Sequence, residues 1–212
     1  MLKKFDFVHS LCTSLIFYDP SRIIKQHTTR GSVRLISTSS VVTSGLSHVD
    51  VNGNPCMVNV SSKNITARSA TARASVQLPG VVFDLLQQKP SSSTLSPNIE
   101  IFGAKGPVFA TAIIAGTMGA KRTAELIPFC HPLPIEHISI DVGVDPQRAR
   151  TVGITCTVRT TGKTGVEMEA LTGASVTALC IYDMLKALSH EIVVSDVKLI
   201  SKTGGKSDVR AA

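Results

Sequence analysis

The sequence predicts an α+β fold: a ferredoxin-like, split βαβ sheet with two long helices packed on one face, plus an N-terminal arm. The chain has 212 residues, of which 43% are apolar and only 4% aromatic, a composition that suits one domain with an aliphatic core. Periodic segments follow in the order strand, helix, helix, strand, strand, helix, strand, which is the order of a split βαβ unit with one extra helix. In two adjacent segments apolar residues alternate strictly with small or polar ones, which is the pattern of two paired β-strands.

The first three elements come before residue 128. Residues 65–78 are predicted to form a strand, although their alternation is imperfect, and residues 79–89 a short helix that begins with Pro. Residues 107–126 carry Ala and apolar side chains at helical spacing, with Pro107 in the first turn and Pro128 as the stop. We therefore expect one long helix here.

The other four elements follow. Residues 138–144 and 152–158 alternate apolar with small or polar side chains and are predicted to pair as a hairpin. A second long helix is expected at about residues 169–189, and a last strand at residues 192–201. The remaining residues, 202–212, are basic and rich in Gly and Ser, and are predicted to be a flexible end.

Residues 1–45 are predicted to lie outside the fold. Before Val41 the chain has six Lys or Arg but only two Asp, mixed with Ser, Thr and scattered apolar residues. This composition is typical of a mitochondrial presequence, whereas a secretory signal needs a longer apolar core. The alternative is an extension without a targeting role. We expect a folded domain at residues 46–212, an arm over its surface at residues 46–62, and a mitochondrial matrix location, with the cytoplasm as the alternative.

Charge and cysteine content restrict the function classes. The formal net charge of +7 favours anionic partners without choosing between a nucleic acid, a membrane surface and a phosphorylated metabolite. The five cysteines are widely spaced with no C-x-x-C pair, so they predict neither a disulfide framework nor a metal site. No apolar run reaches the ~18 residues that a membrane span requires.

Two segments place an ionisable side chain where the backbone orients it. Lys105 lies between glycines just before the first long helix, where a helix N-terminus favours a phosphate; the alternative is a solvated loop lysine. His131 lies between two prolines beyond the end of that helix, so its imidazole is aimed and suits hydrogen bonding or acid–base work. Cys130 beside it lacks the further ligands that a metal needs.

The second long helix carries ionisable groups at both ends. Glu167 and Glu169 stand at its start, where simple helix capping is the alternative to a binding role. Asp183 and Lys186 are three residues apart near its finish, as a surface ion pair or as a catalytic acid–base couple. The two ends are roughly 20 Å apart at about 1.5 Å per residue, which favours their serving one substrate from different copies of the chain.

At these residues the sequence resembles the MoaC-type cyclic pyranopterin monophosphate synthases of molybdenum cofactor biosynthesis. The similarity covers residues 46–208. Its most specific parts are TGKTGVEMEALT, IYDM-x-KA, AKRT-x-x-LIP-x-CHPL, KG-x-VFATA-x-IAG and SKTGGKS.

The resemblance implies a lyase that converts 3′,8-cyclo-7,8-dihydro-GTP to cyclic pyranopterin monophosphate and releases pyrophosphate. It implies no cofactor and no metal. It also implies a homohexamer, a trimer of dimers whose pockets are completed across a subunit boundary, so Lys105, His131 and Asp183 are not required to come from one chain. A separate GTP 3′,8-cyclase would supply the substrate, because this chain has no cysteine triad for iron–sulfur chemistry.

The resemblance also assigns roles to residues. It implies four catalytic residues: Asp183, Lys186, Lys105 and His131. It implies a set of substrate-binding residues, in which Lys202 and Arg68 join Lys105 around the phosphates: Phe129, Cys130, His131, Met168, Glu169, Glu167, Lys202 and Arg68.

Two departures from the family pattern bear on these roles. Asn59 stands where an Asp is usual in the arm, and Pro107 where an Asp commonly begins the helix; we expect both to tune the protein rather than inactivate it. A catalytically silent scaffold is therefore one alternative function. A basic RNA-binding module of the same topology is another, but the hairpin strands lack the aromatic residues that stack on bases.

Overall fold

The computed structural model describes residues 54–87 and 100–210. The predicted extension at residues 1–45 and the first part of the predicted arm lie outside the described residues. The elements, in chain order, are β1 (Thr66–Gln77), α1 (Gly80–Gln87), β2 (Phe102–Gly103), β3 (Gly106–Pro107), α2 (Val108–Lys121), α3 (Thr123–Leu126), β4 (His137–Val144), β5 (Thr151–Gly162), α4 (Glu167–Leu185), β6 (Val193–Thr203) and β7 (Val209–Arg210).

The main sheet has the predicted ferredoxin-like topology. Its strand order is β4-β5-β1-β6-β7, and every neighbouring pair is antiparallel. The central strand, β1, pairs with β5 along its whole length, from Thr66 opposite Gly162 to Gln77 opposite Thr151. The two long helices, α2 and α4, pack against each other, α2 also against β4 and α4 against β1, β5 and β6. The α+β fold class is confirmed.

The core uses small side chains where helix meets sheet. One face of β1 presents Ala70, Ala72, Ala74 and Val76, all buried, because alternate residues of a strand share a face. Helix α4 lies over this face and buries its own alanines at helical spacing, Ala170, Ala174 and Ala178. Larger side chains such as Ile181 and Leu185 are fully buried beyond them, each contributing about 1.5–3 kcal/mol of hydrophobic stabilisation.

Glycine lets α2 and α4 approach closely. A Cβ atom added at Gly116 would lie 1.9 Å from the Thr177 hydroxyl oxygen, 2.8 Å from the Gly173 carbonyl oxygen and 2.9 Å from the Ile140 Cδ1 atom. The Thr177 hydroxyl meanwhile donates a 2.8 Å hydrogen bond to that carbonyl. The absence of a side chain at Gly116 is therefore what allows the two helices to approach so closely.

The predicted first long helix is two helices, so the single-helix prediction was wrong. Helix α2 ends at Lys121, and Arg122, with φ −105° and ψ 14°, separates it from α3. At the end of α2 the Arg122 N–H donates a hydrogen bond to the carbonyl of Gly119, and the Thr123 hydroxyl donates one to the carbonyl of Ala120. A threonine that bonds to the preceding turn competes with continued helix in this way.

The start of α2 explains why Pro107 is tolerated. Pro107 is the N-cap and offers no side-chain acceptor. Instead the Glu100 carboxylate accepts hydrogen bonds from the N–H groups of Phe109 at 2.8 Å and Ala110 at 3.0 Å. A carboxylate thus caps the helix from outside, which is the role that an acidic residue at position 107 would otherwise fill.

The prediction of a flexible end at residues 202–212 is also wrong, as far as Arg210. Strand β6 continues to Thr203, and β7 turns back to pair Val209 and Arg210 with Lys202 and Ser201. Gly204 makes the turn with φ +82°, a conformation that favours glycine, and its N–H donates to the Asp208 carboxylate. The basic residues of this segment therefore have fixed positions beside the sheet.

The other boundaries fall within a few residues of the predictions, and the two-residue strands β2 and β3 are additions that periodicity does not reveal. The second long helix begins two residues earlier than expected and ends at Leu185, with Lys186 as its C-cap. Within the described ranges, no helix combines the length and the apolar character needed to cross a membrane.

Replacing Gly116 by Ala should destabilise the protein. The added methyl group displaces Thr177 and its hydrogen bond in a packed helix interface, at a cost of about 1–3 kcal/mol that outweighs the gain of up to about 1 kcal/mol in helix propensity. Denaturant unfolding monitored by circular dichroism measures the change. Gly143→Ala is the control, because a Cβ atom there meets nothing within 4 Å. Equal stability of the two variants would contradict the packing role.

Candidate active site

A cavity of about 320 Å³ opens at the start of α4. Its walls come from the arm, the start of β1, the segment after α3, the loop before α4 and the end of β6. All eight residues predicted to bind substrate line it: Arg68, Phe129, Cys130, His131, Glu167, Met168, Glu169 and Lys202. Residues from four separate parts of the sequence are thus brought to one place.

Antiparallel pairing carries the basic residues to this cavity. Arg68 lies near the start of β1, and its Nε donates a 2.9 Å hydrogen bond to the carbonyl of Gly162 at the end of β5. Lys202 lies opposite Ala70 on the neighbouring strand and forms a 2.9 Å ion pair with Glu167 in the first turn of α4. This ion pair ties the sheet to the helix at the floor of the site.

Three further lysines face the same cavity, and the sequence analysis missed them as site residues: Lys63, Lys163 and Lys206. Lys163 and Lys206 lie inside the TGKTG and TGGKS motifs, so their position in the motifs was the available signal. Lys63 follows the arm and carries no such signal. Five cations against two carboxylates give the cavity a positive potential that suits a polyanionic ligand.

The arm is held over the cavity by two side chains of the site. The ring Nε2 of His131 is 3.0 Å from the carbonyl oxygen of Val58, and Lys163 Nζ donates to the carbonyl of Ser61 at 2.8 Å. Because a carbonyl only accepts, Nε2 carries the proton of this contact, and in the neutral ring Nδ1 is left as the acceptor. His131 is therefore oriented by the arm as well as by its flanking prolines.

Asn59 does not line the cavity. Its Oδ1 accepts a 2.9 Å hydrogen bond from the N–H of Ser61, a local turn that an Asp would make equally well. The departure from the family pattern at this position thus leaves the described cavity wall unchanged, which removes the reason for expecting a silent scaffold.

Several polar groups of the cavity wall are partly or fully buried. Glu169 is only 4% exposed, and burial raises the pKa of its carboxyl group, opposed by a hydrogen bond from its own backbone N–H and supported by the charge of Glu167. Burial also raises the pKa of the Cys130 thiol, with a smaller contribution from Glu169, so Cys130 is not a thiolate nucleophile. The Thr164 hydroxyl oxygen is buried in the cavity wall without a hydrogen-bond partner in the described structure.

Lys105, Asp183 and Lys186 form a second cluster, which we call the lysine–aspartate cluster. Asp183 accepts from Lys105 Nζ at 2.7 Å on one carboxylate oxygen and from Lys186 Nζ at 2.7 Å on the other. Lys105 also bonds to the main-chain carbonyl of Asp183 at 3.1 Å. The hydrogen bonds from Lys105 first and Lys186 second lower the pKa of Asp183 to about 2.

Local structure aims Lys105 at the end of α4. The lysine stands in the tight turn between β2 and β3, followed by Gly106 with φ +102°. All three side chains of the cluster are about half exposed: 49% for Lys105, 52% for Asp183 and 48% for Lys186. The cluster is therefore a surface feature that is open to a ligand or to another chain.

The structure separates this cluster from the cavity. Glu169 and Asp183 are fourteen residues apart on one helix, a distance of about 21 Å at about 1.5 Å per residue. Of the four residues predicted to be catalytic, His131 lines the cavity and the other three do not. A larger cavity of about 680 Å³ beside β4 contains none of the predicted site residues, and the Arg73–Asp145 ion pair crosses its wall. We therefore place the candidate site at the smaller one.

Among the residues that the structure describes, no group of three or more His, Cys, Asp and Glu side chains is arranged to hold a metal ion.

Comparison with known proteins shows the family to which the chain belongs. Residues 57–205 match the MoaC family. The chain is 52% identical over 167 residues, 79% of its length and 94% of the relative's, to a cyclic pyranopterin monophosphate synthase of Xanthomonas axonopodis pv. citri. It is also 50% identical to a molybdenum cofactor biosynthesis bifunctional protein of Synechocystis, over 44% of that protein's length. It is 49% identical to molybdenum cofactor biosynthesis protein 1 of Dictyostelium discoideum, over 26% of that protein's length. Each of these two alignments covers 76% of this chain. The chain belongs to the MoaC family.

Proposed function

We propose that this chain is a cyclic pyranopterin monophosphate synthase, which converts 3′,8-cyclo-7,8-dihydro-GTP to cyclic pyranopterin monophosphate and releases pyrophosphate. The observation that carries the proposal is the cavity at the start of α4, where five cations surround an oriented imidazole and two carboxyl groups. A phosphorylated nitrogen heterocycle matches this combination of charge and hydrogen-bonding groups.

The basic residues of the cavity suit the triphosphate. Release of pyrophosphate requires positive charge around the phosphates as negative charge develops on the leaving group. Arg68 and Lys202 are held by hydrogen bonds or ion pairs at fixed positions, whereas Lys63 and Lys206 are exposed at the mouth. Cations held by protein contacts and solvent-exposed cations thus line one cavity, and both kinds are available to the phosphates.

The remaining groups suit proton transfer. Rearrangement of the cyclised purine moves protons to and from ring nitrogens, and positioned acids and bases accelerate such steps by about 10²–10⁴-fold each. The hydrogen bonds from Lys105 and Lys186 lower the pKa of Asp183 to about 2, so Asp183 is ionised at neutral pH but is a weak base while both bonds are in place. In this proposal it accepts a proton when the substrate replaces one of those bonds. His131 accepts a proton at Nδ1 when Nε2 is bonded to the arm.

A shared site brings these groups together. We propose that the chain forms a homohexamer, a trimer of dimers, in which the lysine–aspartate cluster of one subunit completes the cavity of its neighbour. The support is physical: the cluster is exposed, and about 21 Å of rigid helix separates it from the cavity of its own chain. Within the described residues of a single chain, Asp183 does not line the substrate cavity.

The enzyme that supplies the substrate and the location of this chain in the cell are proposals as well. The substrate requires a GTP 3′,8-cyclase as the preceding enzyme, and bifunctional relatives of this pathway are consistent with such a partner. A mitochondrial matrix location rests on the composition of residues 1–45 alone.

The RNA-binding alternative has no support in the sheet. Sequence-specific RNA modules of this topology stack bases on aromatic side chains of the strands, and the four long strands β1, β4, β5 and β6 contain no Phe, Tyr or Trp.

The purified protein should form the pterin product and pyrophosphate from the cyclised nucleotide. Asp183→Asn should lower kcat by about 10²–10⁴-fold, because the amide cannot act as a base. Asp196→Asn is the matched control: Asp196 is an exposed, ion-paired aspartate that belongs neither to the cavity nor to the lysine–aspartate cluster, and its replacement should leave kcat unchanged. Absence of product from folded wild-type protein would overturn the proposed function.

Mixed oligomers test the shared site. Coexpression of His131→Ala with Asp183→Ala should restore about one quarter of wild-type activity, because half of the randomly formed dimers contain one intact site of two. Coexpression of Lys105→Ala with Asp183→Ala should restore none, since both residues belong to one cluster of one chain. Equal recovery in both mixtures, or none in either, would argue against a site completed by the neighbour.

The charge state of Asp183 can be tested without substrate. Lys105→Met removes the strongest cause of its lowered pKa, so the Asp183 pKa should rise from about 2 toward the ordinary aspartate range, and Lys186→Met should raise it less. Carbon-13 NMR of the side-chain carboxyl groups over a pH titration measures both. Asp196, whose pKa is lowered by Arg148, should not respond to either change. An Asp183 pKa that stays near 2 in both variants would contradict the assignment.

A further inference from the structure

The loop that carries Lys105 is closed at its base by one side chain. This loop, residues 101–107, contains β2, β3 and the turn between them, and we call it the Lys105 loop. The Glu100 carboxylate accepts a 2.9 Å hydrogen bond from the N–H of Ile101, at the beginning of the loop. It also accepts from the N–H groups of Phe109 at 2.8 Å and Ala110 at 3.0 Å, just beyond the loop. A single carboxylate thus joins both ends of the loop to the start of α2.

This arrangement follows from the residue at the N-cap of α2. An N-cap side chain ordinarily accepts a hydrogen bond from the second or third residue of its helix, and Pro107 has no group that accepts one. The second and third residues of α2 are Phe109 and Ala110, and Glu100 serves them from nine and ten residues earlier in the chain. The cap of the helix therefore comes from the far end of the Lys105 loop, so capping α2 also holds this loop closed.

The base of the Lys105 loop is fixed, whereas its tip is exposed. Ile101 and Val108 are buried, and the Val108 N–H donates a 2.8 Å hydrogen bond to the Ile101 carbonyl. Toward the tip, Phe102 is 72% exposed and the Lys105 side chain is 49% exposed. An exposed tip has few packing contacts of its own, so its position follows that of the base.

The tip points at the last turn of α4. Lys105 Nζ lies 2.7 Å from a carboxylate oxygen of Asp183 and 3.1 Å from the Asp183 carbonyl oxygen. A Cβ atom added at Gly103 would lie 3.7 Å from the Met184 carbonyl oxygen, so the loop backbone runs beside the same turn. A shift of about 1 Å takes such contacts outside hydrogen-bonding distance. Because α2 packs on α4, a loop that is tied to the start of α2 has a fixed position relative to Asp183.

We infer that Glu100 is a positioning residue: by tying the Lys105 loop to the start of α2, it holds the Lys105 ammonium group on Asp183. Glu100 lies on the wall of the larger cavity beside β4 and does not line the candidate substrate cavity. It therefore acts through Lys105 and not on the substrate. Only the catalytic consequence rests on the proposed function, since the placement of Lys105 is a property of the chain itself.

The pKa of Asp183 reports on this placement without substrate. The hydrogen bond from Lys105 is the largest cause of its lowered value of about 2. Glu100→Ala releases the loop, so the Asp183 pKa should rise, in the same direction as in Lys105→Met but by less. Glu100→Gln keeps one acceptor oxygen and should cause a smaller rise than Glu100→Ala. Carbon-13 NMR of the side-chain carboxyl groups over a pH titration measures all three variants.

A double variant separates positioning from a purely structural role. In a Lys105→Met background, Glu100→Ala should not change the Asp183 pKa further, because the group through which Glu100 acts is gone. Gly116→Ala is the control for lowered stability: it disturbs the packing of α2 away from the loop and should leave the Asp183 pKa near 2. An Asp183 pKa that stays near 2 in Glu100→Ala would overturn the inference. An equal rise with and without Lys105 would do the same.

Pro107→Asp offers a rescue. In Glu100→Ala/Pro107→Asp a carboxylate returns to the N–H groups of Phe109 and Ala110, now from the N-cap itself. The denaturation midpoint, which Glu100→Ala should lower, and the Asp183 pKa should both return toward their wild-type values. A folded double variant with the Asp183 pKa of Glu100→Ala would contradict the capping bonds as the means of positioning.

Turnover tests the catalytic consequence. Glu100→Ala displaces a residue predicted to be catalytic and should lower kcat by about 10–10²-fold. KM should stay within about threefold, because the cavity residues at the start of α4 are unchanged. In an active wild-type enzyme, an unaltered kcat of Glu100→Ala would count against the inference. Absence of product from folded wild type would overturn the proposed function alone, since the NMR and unfolding measurements need no substrate.

Discussion

The close contact between α4 and the central strand is the constraint on which the rest of the structure depends. Buried alanines on both surfaces, represented by Ala72 on β1 and Ala174 on α4, place short side chains where the helix meets the central strand. Tight packing of this kind resists small displacements, since a well-packed interior has few voids into which atoms can move. Helix α4 is thus a rigid rod whose two ends have fixed positions.

Rigid placement of α4 determines how chemistry is distributed over the chain. The cavity residues at its start and the lysine–aspartate cluster at its finish are held about 21 Å apart, and no bending of a packed helix shortens that distance. Glycine at the α2 crossing, with a Gly116 Cβ position only 1.9 Å from Thr177, fixes the neighbouring helix just as firmly. In the proposed hexamer a substrate of nucleotide size reaches both groups because they come from different subunits, which makes the proposed oligomer part of the site.

Much of the fold could be predicted from the sequence because its signals are local. Alternation in residues 138–144 and helical spacing in α4 depend on neighbours within one element, and both elements appear where expected. The break at Arg122 and the β7 hairpin were missed because each depends on contacts that periodicity does not report. The first depends on a threonine hydroxyl that closes a turn, and the second on the pairing of β7 with β6. Glu100 as the cap of α2 is likewise a contact across a loop.

The same distinction applies to the candidate site. The family resemblance predicted all eight substrate-binding residues, and the structure brings these eight together in one cavity. The motifs did not reveal Lys63, whose place on the wall depends on the path of the arm, or the pairing of Lys105 with Asp183 in the same chain. Sequence order alone does not show which charged groups are partners, because partnership is decided by three-dimensional distance and burial.

The carboxyl groups at the two ends of α4 have pKa values that are shifted in opposite directions by different physical means. Asp183 is exposed, and its pKa is lowered because two lysines bond to its two oxygens. Glu169 is buried and forms no ion pair among the described residues, and burial raises the pKa of its carboxyl group although a hydrogen bond from its own backbone N–H lowers it. Exposure and partners thus shift the same functional group in opposite directions at the two ends of one helix. Because each shift is set by contacts within one chain, a single subunit already holds both groups, and assembly of the proposed hexamer only has to bring them together.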